Sequence, residues 1–133
     1  MIALEEAPLI KKKAVVCDHD ATFARILRHL LAKNGFEVST AHNSDAGLAL
    51  LRSAKPGLLI LDMELTPKDG SAVLRGMRDA SAAKPYTIVL TAHEGKEKHD
   101  QATALGAHEV WTKPFSAAEL LKKLESLARQ GKV

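Results

Sequence analysis

The stretch LLILDMELTPKDG, Leu58–Gly70, decides the fold. Its first four residues are apolar without alternation, and a single acid, Asp62, ends the run. A short strand covered on both faces reads this way, because helices on each side leave no face to solvate. Lys55-Pro56-Gly57 breaks the preceding helical pattern, and a polar loop separates Asp62 from the next one.

Outward from this run, apolar stretches alternate with amphipathic ones. Upstream, Ala14–Asp18 reads as a strand. A helix follows with Asp20 in the N-cap position and Phe23, Ile26, Leu27, Leu30 and Leu31 at helical spacing; Asn34-Gly35 ends it. Phe36–Ala41 is a second strand. Ser44 is expected to cap a helix carrying Ala46, Leu48, Ala49 and Leu51. Downstream come a helix with Val73, Leu74 and Met77, and the strand Tyr86–Thr91. A polar helical stretch from about Lys96 to Leu105 then leads to a strand in HEVWT, His108–Thr112. Ser116 and Glu119 form a capping-box pattern before Leu120, Leu121, Leu124 and Leu127. Repeated strand–helix alternation demands a parallel sheet with right-handed crossovers and helices on both faces. The expected fold is α/β, a flavodoxin-like doubly wound five-stranded sheet in the order 2-1-3-4-5.

Composition narrows the function classes. The 133 residues suffice for one domain, and 46% apolar with 26% charged residues describes a globular chain. Residues 1–12 read as an N-terminal extension and 13–133 as the domain. Cys17 lies inside an apolar run, so it reads as a core thiol. No apolar run has the length of a membrane span, and Glu5 and Glu6 precede the lysines, the wrong order for a signal peptide; a cytoplasmic location is expected. The formal charge is +3, but apart from Lys11-Lys12-Lys13 the basic residues are interleaved with acids. That run reads as a solubilising guard beside an edge or entry strand, and nucleic acid is not an expected partner.

Ligands of open α/β sheets bind beyond the carboxyl ends of the strands. The strands end here in Asp18-His19-Asp20, Asp62, Thr91 and Lys113. A carboxylate can attack a phosphoryl group, a lysine can neutralise the equatorial oxygens, a hydroxyl can donate to them, and carboxylates can hold a divalent metal. The segment VVCDHDAT, Val15–Thr22, alone leaves two readings open. Asp-x-Asp-x-Thr after a strand resembles the first motif of haloacid-dehalogenase phosphatases, in which Asp18 would be the nucleophile. It also fits one corner of a different phosphate site.

Four pieces in order decide between them: CDHD, LLILD with Asp69-Gly70 after it, IVLTA and KPF. Over Ala14–Arg129 the chain resembles the receiver domain of two-component response regulators, including the eight-residue step from Asp62 to Gly70. The resemblance implies a phosphorelay protein that takes a phosphoryl group from a phosphohistidine onto Asp62. Thr91 and Lys113 would contact the phosphate. Asp18, Asp62 and the Glu64 backbone carbonyl would hold Mg²⁺ or Mn²⁺. The Glu64 side chain, Ala92 and His93 would govern access and phosphate lifetime, and Lys113–Pro114 would be a cis peptide aiming the lysine at Asp62. A histidine kinase or phosphotransfer protein would be the donor, and a downstream protein would dock on the strand 4–strand 5 side. Such a chain is not an enzyme in the ordinary sense, although it can catalyse its own phosphorylation and dephosphorylation.

Two positions depart from the family pattern. His19 stands where the family carries a second acid, replacing a hard oxygen by an imidazole, so weak metal binding is expected; Asp20 is a substitute ligand or simply the helix cap. Val110 occupies the aromatic switch position, while Trp111 points to the other side of the strand. These departures motivate the alternative of a pseudo-receiver, an interaction module that is never phosphorylated.

Overall fold

The computed structural model describes residues 12–79 and 84–133. Apart from Lys12, the expected extension 1–12 lies outside them. Among the described residues ten elements alternate: β1 (Lys12–Cys17), α1 (Ala21–Lys33), β2 (Phe36–Ala41), α2 (Ser44–Ala54), β3 (Leu58–Asp62), α3 (Gly70–Arg78), β4 (Tyr86–Thr91), α4 (Lys96–Ala104), β5 (Glu109–Thr112) and α5 (Ala117–Arg129). The strands form one parallel sheet in the order β2-β1-β3-β4-β5, the flavodoxin-like arrangement.

Strand alternation divides the core in two. Ala14, Val16, Leu58, Ile60, Ile88 and Leu90 face α1 and α5, where Leu27, Leu31, Leu120 and Leu124 meet them. Val15, Cys17, Leu59, Leu61 and Val89 face the other side, against Val73 and Leu74 of α3 and Ala102 of α4. All five residues of β3 are buried, which explains why its sequence shows no polar alternation. Each fully buried leucine contributes about 1.5–3 kcal/mol of transfer free energy, enough for the two half-cores to hold helices whose own propensity is modest.

The caps are set by local chemistry. Asp20 accepts from the amides of Thr22 and Phe23. Ser116 and Glu119 complete a reciprocal capping box. The cap of α2 is Asn43, not Ser44: the Asn43 side chain accepts from the Ala46 amide, and Ser44 is the first helical residue. The Ser44 hydroxyl is buried instead, donating to the Thr66 carbonyl and accepting from the Lys68 amide. Lys12 and Lys13 begin β1, an interior strand, so they guard its entry and not an open sheet edge.

Register positions the site. Cys17 pairs with Leu61, so Asp18 emerges beside Asp62; Asp62 pairs with Leu90, so Thr91 emerges one step further on. Thr91 pairs with Thr112, the residue before Lys113. Gly70 brings α3 against this rim. A Cβ there would lie 2.8 Å from the Asp62 carbonyl oxygen and 3.0 Å from the Met63 Cα.

Candidate functional site

Asp18, Asp62 and Thr91 are at most 1% exposed, although each is polar. Burying such groups is unfavourable unless they are hydrogen-bonded or paired. Their partners therefore define the site.

Asp18 Oδ1 accepts from the Asp20 amide at 2.9 Å, and Asp18 Oδ2 receives the Lys113 ammonium at 2.9 Å. The same ammonium lies 3.7 Å from Asp62 Oδ1. Lys113 thus bridges both acids and sits nearer to Asp18 than to Asp62. Its peptide bond to Pro114 is cis. It also lies 5.0 Å above the Phe23 ring, which stands edge-on to Phe115 at 6.0 Å, which in turn stands edge-on to Trp111 at 5.2 Å.

Asp62 Oδ1 accepts from the Glu64 amide at 3.0 Å. Its Oδ2 is covered by His19, through the backbone amide at 3.3 Å and a short contact from imidazole Nδ1. His19 remains half exposed, so its ring forms the solvent-side wall of the site. The two acids respond differently. Burial pushes Asp18 above the usual carboxylate range, against the Asp20 amide and Lys113. Burial also acts on Asp62, but His19, the Glu64 amide and Lys113 outweigh it and hold Asp62 below its ordinary value. His19 is raised, chiefly by its bond to Asp62. The carboxylate that ends β3 is thereby favoured in its ionised form although it is buried.

The remaining candidates separate cleanly. One ligand atom each from Asp18, His19 and Asp62 lies within 4.8 Å of the others, a spacing that one cation spans. Two carboxylates fit a hard divalent ion, and one imidazole tilts the set from Mg²⁺ toward Mn²⁺ or a later transition metal. The Asp20 carboxylate is occupied as the helix cap. The Glu64 carboxylate reaches across to β4: Oε2 accepts from the Thr91 hydroxyl at 2.8 Å and Oε1 from the Ala92 amide at 2.9 Å. The His93 amide donates to the Thr91 hydroxyl oxygen at 3.1 Å. Val110 packs on the α3–α4 side of the sheet, and Trp111 on the α1–α5 side. Several contacts have no counterpart in the sequence pattern: the His19 ring on Asp62, the Glu64 carboxylate on Thr91 and Ala92, Phe23 beneath Lys113, and His99, which touches both the His93 carbonyl and the Thr112 hydroxyl at 3.2 Å. None carries a local signal, since each depends on which strand ends become neighbours.

Comparison with known proteins agrees with this geometry. The response regulator receiver domain model matches residues 14–125. The alkaline phosphatase synthesis transcriptional regulatory protein PhoP of Bacillus subtilis is 28% identical over 93% of this chain and 51% of its own length. Response regulator MprA of Mycobacterium ulcerans is 31% identical over 91% of the chain and 52% of its own length. The chain therefore spans about half the length of these curated relatives. Among solved structures, the chemotaxis response regulator CheY4 of Vibrio cholerae superposes with a TM-score of 0.81 at 26% identity, covering 89% of this chain and 99% of that one. A response regulator receiver domain from Bermanella marisrubri gives 0.78 at 28% identity, covering 90% and 99%. With the five-stranded order, the buried acids of β1 and β3 and the lysine after β5 all in place, the chain belongs to the response regulator receiver domain family.

Proposed function

We propose that this domain accepts a phosphoryl group on Asp62 from the phosphohistidine of a histidine kinase or phosphotransfer protein. The observation that carries the reading is the state of Asp62. It is fully buried, held ionised, and shares the Lys113 ammonium with Asp18. An Asp62 carboxylate oxygen forms the new P–O bond while the P–N bond to the donor imidazole breaks, its electron pair remaining on nitrogen. Lys113 offsets charge on the phosphoryl oxygens, and the Thr91 hydroxyl donates to one of them. Asp18, Asp62 and the Glu64 backbone carbonyl are the residues that would hold Mg²⁺ or Mn²⁺, which adds positive charge beside the same oxygens. His19 lines that site from the solvent side. The signal would leave through the β4–β5 side, and the setting would be cytoplasmic.

Incubation of the chain with acetyl phosphate, with and without Mg²⁺ or Mn²⁺, tests this. Intact mass should rise by one phosphoryl group, and Asp62→Asn should abolish the rise. Label surviving in Asp62→Asn, or mapping to Asp18, would overturn the assignment. A second reading, a pseudo-receiver that only binds partners, is favoured by the His19 ring on Asp62 Oδ2. Complete absence of label from the wild-type chain would select it.

A further inference from the structure

The Thr91 hydroxyl and the Ala92 amide are two donors at the end of β4, pointed at one anion: the Glu64 carboxylate, one oxygen to each. A carboxylate and a phosphoryl group present similar pairs of anionic oxygens, and both take charge-assisted hydrogen bonds from such donors. The Glu64 backbone is fixed independently, because its amide donates to Asp62 Oδ1 at 3.0 Å. The main chain therefore stays on the acceptor while the side chain spans to the neighbouring strand end. The hydroxyl oxygen of Thr91 also accepts from the His93 amide, while its single proton is donated to Glu64. Glu64 is only part-buried, so its side chain has a path to solvent.

We propose that Thr91 and Ala92 form an oxyanion seat whose resident ligand in the resting domain is the Glu64 carboxylate, which an incoming phosphoryl group must displace. This rests on the acceptor role of Asp62. It adds a definite mechanism: Glu64 is an internal competitor of the phosphoryl oxygens, and the resting β4–α4 loop is held in place by it. On displacement the Thr91 proton and the Ala92 amide pass from the two Glu64 carboxylate oxygens to phosphoryl oxygens, with no change in their number of hydrogen bonds. The loop carrying Ala92 and His93 keeps its donors satisfied in both states, and the Glu64 side chain is what moves outward.

The test uses the full chain, acetyl phosphate below saturation with Mg²⁺, and three variants. Glu64→Ala removes the resident carboxylate. Glu64→Asp keeps the charge but is one methylene too short to reach both donors. Asp62→Asn is the blank. Both Glu64 variants should take up label about fivefold or more faster than wild type, the factor that one net hydrogen bond lost from the resting state provides. The Ala92 amide resonance of the unlabelled protein should move in both. Equal or slower uptake in both variants, with the wild type still labelled, would overturn the displacement. Acceleration in Glu64→Ala with wild-type behaviour in Glu64→Asp would reduce Glu64 to a repelling charge and likewise overturn it. If no variant and no wild-type chain is labelled, the failure is that of Asp62 as acceptor, and the competitor role falls with it.

Discussion

Lys113→Met replaces the ammonium that bridges two buried acids and keeps most of the apolar stem over Phe23. At an effective dielectric of about 20, a unit pair at 2.9 Å is worth about 6 kcal/mol gross and one at 3.7 Å about 4.5 kcal/mol. Most of that offsets the desolvation of the three groups, so the net loss is smaller. Removing one partner of a buried pair destabilises by about 3–5 kcal/mol. The lysine side chain is 21% exposed and His19 still faces Asp62, which lowers the expectation to about 2–3 kcal/mol. For a domain of this size that is a fall in Tm of roughly 8–12 °C. Urea unfolding followed by far-ultraviolet circular dichroism, in metal-free buffer, measures it. Asp18→Asn in the same background should restore most of the loss, because it removes the carboxylate left unpaired. A Lys113→Met variant within about 0.5 kcal/mol of wild type would refute the reasoning. So would a double variant no more stable than the single one.

Other expectations concern the metal, the packing and pH. His19→Asp should tighten Mg²⁺ binding by about tenfold or more, read by calorimetric titration, since it restores an oxygen ligand and a charge; unchanged affinity together with abolition by Asp20→Ala would make Asp20 the ligand. Gly70→Ala should cost about 1–3 kcal/mol, because the new methyl meets backbone at 2.8 Å and no flexible side chain can yield. Glu109 is pushed up by burial, but the Tyr86 hydroxyl, the Trp111 indole and Lys123 outweigh this and hold it low. A carboxyl lowered on folding stabilises above its unfolded value and loses that contribution as pH falls through the folded one. Wild type should therefore lose more stability than Glu109→Gln between about pH 5 and pH 3 in paired urea titrations.

What could be read from the chain, and what could not, follows physical lines. The bounds of β3 and β4 coincide with the apolar runs Leu58–Asp62 and Tyr86–Thr91, because burial on both faces of the sheet leaves a continuous local record, while β2, at the sheet edge and only partly buried, matches the expected Phe36–Ala41 with polar residues within it. The cap of α2 falls one residue before the expected Ser44: Asn43 is an equally good capping residue, and the Ser44 hydroxyl is drawn away to the buried Thr66 carbonyl and Lys68 amide. The strand ends that deliver Asp18, Asp62, Thr91 and Lys113 to one rim were legible from the alternation of elements. The side-chain choices at that rim were not. His19 lies 43 residues from Asp62, and Glu64 lies 27 from Thr91. No periodicity links them, and each is a rotamer selected by what the opposite strand end offers. The preference of Lys113 for Asp18 has the same origin: Asp62 already has two amides and an imidazole, whereas Asp18 has one free oxygen.

The line of rings beneath Lys113 gives the domain an intrinsic optical probe. Its single tryptophan is joined to the ammonium of the site by two edge-on contacts, through Phe115 and Phe23. A change in what Lys113 binds alters the field over Phe23 and the packing of the ring after it, and so the surroundings of the indole. Because Trp111 sits on the α1–α5 side, opposite Val110, its emission should follow events at the acid pair separately from changes on the α3–α4 side. Trp111 emission is therefore the expected dye-free readout of cation binding at the acids and of the phosphorylation proposed for Asp62.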